Sequence, residues 1–174
     1  MTRAATCCAG ALLVAACGSQ NATQERIDEA NAYPLVSDIN GTVPPGEPTL
    51  VHTSVEVLDM MRDGQQVRVY RDTRDPGTRS PIHLHPFGGW TCVVSGEAIL
   101  YLEGVEPQTR KAGDCVAMPA MTPMSNVNLG PEPAVLLDSF ATPLDAPVWR
   151  IIEVGQQHLG NEFASGHNER TNPQ

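Results

Sequence analysis

The chain is nearly without lysine. Lys111 is the only one among 174 residues, the arginines are scattered, and the formal charge is −9. Nucleic-acid binding needs clustered Lys and Arg against phosphate, so this balance excludes nucleic acid as a partner. No apolar run is long enough to span a bilayer as a helix. The sequence has no GxSxG elbow, no phosphate-cradling glycine loop ahead of a helix and no CxxC pair. Hydrolase, nucleotide-binding and thioredoxin-type chemistry therefore lack their usual residues. Repeats at solenoid or propeller periods are also missing. The length fits one domain able to bury its own core.

The N-terminus, MTRAATCCAGALLVAACGSQ, has one positive residue, Arg3, followed by a short apolar run. The run is too short for a transmembrane helix and ends as an export signal ends. Val14-Ala15-Ala16-Cys17 resembles the lipobox of bacterial lipoprotein signal peptides. That resemblance implies cleavage before Cys17, lipidation of Cys17 and a membrane anchor on the extracytoplasmic side, periplasmic or cell-surface. An ordinary A-x-A signal peptide is the alternative, and either leads outside the cytoplasm. Loss of residues 1–16 takes the formal charge from −9 to −10 and leaves Cys17, Cys92 and Cys115 of the five cysteines.

Residues 17–50 read as the lipid anchor and a tether, polar at first and then rich in Pro and Gly, with a short helix at QERIDEANAY. From 51 to 155 short strands alternate with turn signals. VHTSVEVLDMM, QVRVYRD, GGWTCVVSG, EAILYLEG, PAVLLDSF and VWRIIEV carry the pattern. Regular short strands with Gly and Pro between them indicate an all-β sandwich or closed barrel. Residues 156–174 form a polar tail.

His83 and His85 lie two residues apart, so on a strand both project from one face, while Leu84 faces the other way. Two imidazoles at that spacing can converge on one metal ion. Gly77, His83, His85 and Gly96, followed by Gly113, Pro119 and Asn128, fall at the spacings of the two motifs of the cupin superfamily. Residues 75–130 resemble that family, which implies a six- to eight-stranded jelly-roll barrel around a metal on three His and one Glu. The chain departs from the pattern at the ligands. Gly89 stands at the Glu position, Met121 at the second-motif glycine and Met124 at the second-motif His.

Met124 is thus the candidate third ligand. A thioether suits Cu(I) and serves hard, oxygen-seeking ions poorly. The expected cofactor is one transition-metal ion, with copper, zinc and iron all open. Loss of the metal altogether is the alternative, because methionine also fills apolar interiors. Gly88-Gly89 clears the mouth of the expected pocket, and Gly89, Thr91 and Met121 are its candidate lining. In jelly-roll cupins the strands carrying Cys92 and Cys115 are neighbours, which implies a cross-strand disulfide; a thiolate joining the metal is the other possibility.

Three functions fit. The first is a lipid-anchored protein that binds a transition metal through the HxH pair. The second is a metal-dependent small-molecule enzyme, oxygenase- or isomerase-like. The third is a metal-free barrel that binds a small molecule. The family resemblance also implies a homodimer.

Overall fold

The computed structural model describes residues 11–49 and 54–160, with side chains described from 20 to 159. Helix α1 spans Ala11–Ala32. Twelve strands follow: β1 Glu47–Pro48, β2 Val55–Arg62, β3 Gln65–Arg74, β4 Thr78–Arg79, β5 His83–Leu84, β6 Gly89–Ser95, β7 Glu97–Leu102, β8 Val105–Lys111, β9 Cys115–Met118, β10 Met124–Asn128, β11 Ala134–Thr142 and β12 Arg150–Ile151. They form a five-stranded sheet in the order β2-β3-β11-β6-β9 and a seven-stranded sheet centred on β10. The two sheets make an all-β jelly-roll barrel, as the strand pattern implies.

The strand pattern arises from period-two alternation broken by proline. In β3, QQVRVYRDTR buries Gln66, Arg68, Asp72 and Arg74 on one face. Pro81 and Pro86 cannot donate to a ladder, so β4 and β5 stay two residues long and share one edge of β10. β11 lies between β3 and β6 along most of its length and is the centre of its sheet.

The segment read as a tether is not detached from the barrel. Ala30 and Ile39 are buried with Ile82, Leu84 and Ile152, and Tyr33 and Val36 pack on the same cluster. The Val36 N–H donates to Ile152 O at 2.8 Å, and the Asn40 side chain donates to the carbonyls of Leu102 and Val105. β1 then pairs in parallel with β4. Tyr33, Val36 and Ile39 recur every third residue, which supplies one apolar edge from a mostly polar stretch. The expected short helix is the C-terminal part of α1. In the tail, Gln157–Gly160 form one 3-10 turn. Residues 1–10 of the expected signal peptide, His52 and residues 161–174 lie outside the described residues, as does the side chain of Cys17.

A buried ion pair closes the seam between these parts. Arg79 meets Glu153 through two bonds of 2.7 and 2.6 Å, and Glu153 also accepts the Ile82 N–H at 2.7 Å. The bidentate geometry satisfies charges that would be costly to bury alone.

Candidate metal centre

β5 carries His83 and ends just before His85, so both rings point into the barrel and Leu84 points out, where it packs under Ile39. The rings are buried, and their centroids lie 4.9 Å apart, edge to face. Nδ1 of His83 lies 2.8 Å from Pro81 O, and Nδ1 of His85 lies 2.6 Å from Val148 O. A carbonyl can only accept, so each Nδ1 carries the proton and each Nε2 presents a lone pair. Burial pushes His83 down to about 4, helped by the positive charge of Arg74 and opposed by the Pro81 carbonyl. Burial, with His83 beside it, pushes His85 down to about 3, against the Val148 carbonyl and Asp72. Both imidazoles are therefore neutral at physiological pH, the protonation state in which imidazole ligates a metal.

Met124 pairs in register with His83 across β10 and is 1% exposed. It shares a cluster with Met118 and Phe140, and the Phe140 ring lies 4.8 Å from His85. The histidines and the methionine thus border one region of the interior. Met121 does not join them. Its side chain packs against the Ile82–Leu84 cluster on the far side of β5, while its N–H donates to His85 O at 2.9 Å. Its φ of 59° is the conformation for which glycine is favoured, and methionine occupies it here.

Gly89 faces the interior at the start of β6, with Thr91 and Val93 on the same face. A Cβ at residue 89 would lie 2.6 Å from Cδ1 of Phe140. The Phe140 ring therefore fills the volume that a carboxylate side chain at 89 would need. Among the described residues no three His, Cys, Asp or Glu side chains converge to hold a metal. A three-His, one-Glu centre for a hard ion does not fit this interior. Met124 lies in register with His83 on the neighbouring strand, inside the same interior.

Sequence reasoning missed a second polar set. Register places Tyr70, Asp138 and Thr91 in one inward row, with Asp72 and Arg74 further along β3. Asp72 Oδ1, Asp138 Oδ1, Thr91 Oγ1 and two nitrogens of Arg74 are buried without a hydrogen-bond partner. Burial and the facing Asp72 push Asp138 well up, against Thr91 and Arg74. A proton held on Asp138 gives Asp72 a donor, which is how two buried carboxyls coexist. The signal lay in the sequence: QVRVYRDTR puts four polar residues on its buried face, and Asp138 interrupts the apolar run AVLLDSF.

Cys92 and Cys115 are joined as a disulfide across the β6–β9 pair. It lies on the outer face of the sheet, so neither thiol reaches the interior.

Residues 70–140 match the family model for a cupin domain. With the two-sheet barrel, this makes the fold a cupin one. No curated protein matches the chain. Among solved structures, an uncharacterized conserved protein with a double-stranded beta-helix domain from Klebsiella pneumoniae is 27% identical, over 73% of this chain and 94% of that one, with a TM-score of 0.46. A mutant of Bacillus subtilis oxalate decarboxylase is 22% identical over 49% of this chain, with a TM-score of 0.41. The DMSP lyase of Ruegeria pomeroyi is 23% identical over 52% of this chain, with a TM-score of 0.44. This chain spans 28% of the length of the decarboxylase and 44% of the lyase.

Proposed function

We propose that this cupin-fold protein binds one soft transition-metal ion, Cu(I) foremost, on Nε2 of His83 and His85 with the Met124 thioether as third ligand. The observation that carries this reading is the pair of Nδ1-to-carbonyl hydrogen bonds. Backbone partners of that kind fix tautomer and ring orientation in metal-binding histidines, and here they preset two lone pairs on buried rings. The lipobox-like Val14–Cys17 supports a place for this site outside the cytoplasm, on a lipid-anchored chain. No helix among the described residues is long and apolar enough to cross a membrane. A role in holding or passing on metal asks nothing more of these residues.

The test is a competition titration of the full chain against a chromophoric Cu(I) chelator. The wild type should withdraw copper stoichiometrically, and Met124→Leu should hold it about tenfold more weakly, the ~1.4 kcal/mol of one weak ligand. Equal affinity in the two proteins would remove Met124 from the site.

A second reading, a metal-free barrel that binds a small polar molecule, is favoured by the unpartnered atoms of Asp72, Arg74, Thr91 and Asp138. It expects ligand binding that survives loss of both histidines.

A further inference from the structure

Four side chains on one wall of the barrel interior are buried with bonding capacity left over. Register sets Thr91 beside Asp138 across β6 and β11, and Asp72 and Arg74 lie in the next two inward rows of β3. Thr91 is 5% exposed, Asp72 7% and Arg74 3%. Yet Nε and Nη1 of Arg74, Oδ1 of Asp72, Oδ1 of Asp138 and Oγ1 of Thr91 find no hydrogen-bond partner among the described residues. Buried polar atoms in folded proteins are nearly all satisfied, so this concentration in one set marks the place of a missing partner.

The set is not built as a structural ion pair. Arg79, buried to the same degree, closes on Glu153 through two bonds of 2.7 and 2.6 Å. Arg74 lies close enough to Asp72 and Asp138 to feel the charge of both, but among the described residues it forms an ion pair with neither. A guanidinium and two carboxyls are thus held apart, each with an unmet atom. The set borders the histidine pair, since the charge of Arg74 reaches His83 and that of Asp72 reaches His85.

That separation selects a ligand by charge. A simple anion on Arg74 would stand against the two carboxyls, and a simple cation on the carboxyls would stand against Arg74. A neutral molecule meets the donors and acceptors but leaves the separated charges unmatched. A zwitterion matches both ends, and the Thr91 hydroxyl, donor or acceptor, serves either. Residues two apart on a strand lie about 7 Å from each other, so Asp72 and Arg74 suit a molecule with only a few bonds between its charges.

We infer that the barrel interior binds a short zwitterion, its carboxylate on the Arg74 guanidinium and its cationic group on Asp72 and Asp138. The inference rests on the second reading above, small-molecule binding, and needs no metal.

Isothermal titration of the full chain, stripped of metal with a chelator, tests it. The probes are glycine, β-alanine and 4-aminobutyrate, with propionate, ethylammonium and glycerol as single-charge and neutral controls. At least one zwitterion should bind one per chain, about tenfold or more tighter than every control, as the loss of one charged contact requires. Thr91→Val keeps the side-chain shape and removes a hydroxyl that has no partner. Its urea midpoint should therefore equal or exceed that of the wild type, while zwitterion binding weakens about tenfold. Controls that bind as tightly as the zwitterions would overturn the inference and leave the small-molecule reading standing. No binding of any probe would remove both and assign these atoms to ordered water. Zwitterion affinity unchanged in Thr91→Val would place the ligand elsewhere and overturn the inference as well.

Discussion

A Cβ on residue 89 would lie 2.6 Å from Cδ1 and 2.8 Å from Cε1 of Phe140, so glycine and phenylalanine hold one volume between them. Gly89→Ala should therefore cost about 1–3 kcal/mol in urea unfolding, the usual penalty of overpacking. The cost should shrink when Phe140→Leu is made with it, because the two sites share one clash. The same geometry sets ion choice. Gly89→Glu/Phe140→Ala returns a carboxylate to the histidine pair and opens space for it. That variant should gain Mn(II) on dialysis, measured by elemental analysis, where the wild type retains none. Equal Mn(II) in both would show that position 89 does not govern selectivity.

At the scale of elements, two covalent or ionic ties hold the barrel together. The Cys92–Cys115 disulfide closes a 23-residue separation, and Cys92→Ser/Cys115→Ser should lose roughly 3 kcal/mol by denaturant titration. Glu153→Ala leaves the buried Arg79 guanidinium without its partner and should cost about 3–5 kcal/mol. Alternation in the sequence was enough to turn Thr91 and Val93 inward and to set Cys92 on the other face. Motif spacing, through the family resemblance, led to the pairing of Cys92 with Cys115. Neither could show that Asp138 comes close to Asp72, since that depends on which strands lie side by side and in what register. The seating of residues 30–44 was equally hidden. Its apolar contacts are few, and its hydrogen bonds go to carbonyls sixty and more residues away. Phe140 as occupant of the missing carboxylate's place is a contact between strands that no local pattern records.

At the scale of the whole molecule, burial of the histidines couples stability to pH. In the metal-free protein both folded values, about 4 and about 3, lie below the ~6.5 of the unfolded chain. Their stabilisation is complete above the unfolded value and is lost as pH falls from there toward the folded ones. Near pH 5 the unfolded chain holds about two more histidine protons, a slope of ~2.7 kcal/mol per unit. Asp138, pushed upward, acts in the opposite sense, and its contribution is lost as pH rises. The net slope near pH 5 should thus fall between about 1.4 and 2.7 kcal/mol per unit. Urea midpoints at pH 5 and pH 7 read it, and the slope should fall to zero or below in His83→Ala/His85→Ala. A wild-type midpoint independent of pH over that range would contradict neutral buried histidines.

The central claim is that two preset Nε2 lone pairs hold a soft metal ion. Elemental analysis tests it most directly, on the full chain exposed to Cu(I) and Zn(II), dialysed, and compared with His83→Ala/His85→Ala treated alike. The account predicts one ion per wild-type chain, copper in preference to zinc when both are offered, and none in the variant. No metal in either protein, or equal metal in both, would contradict it.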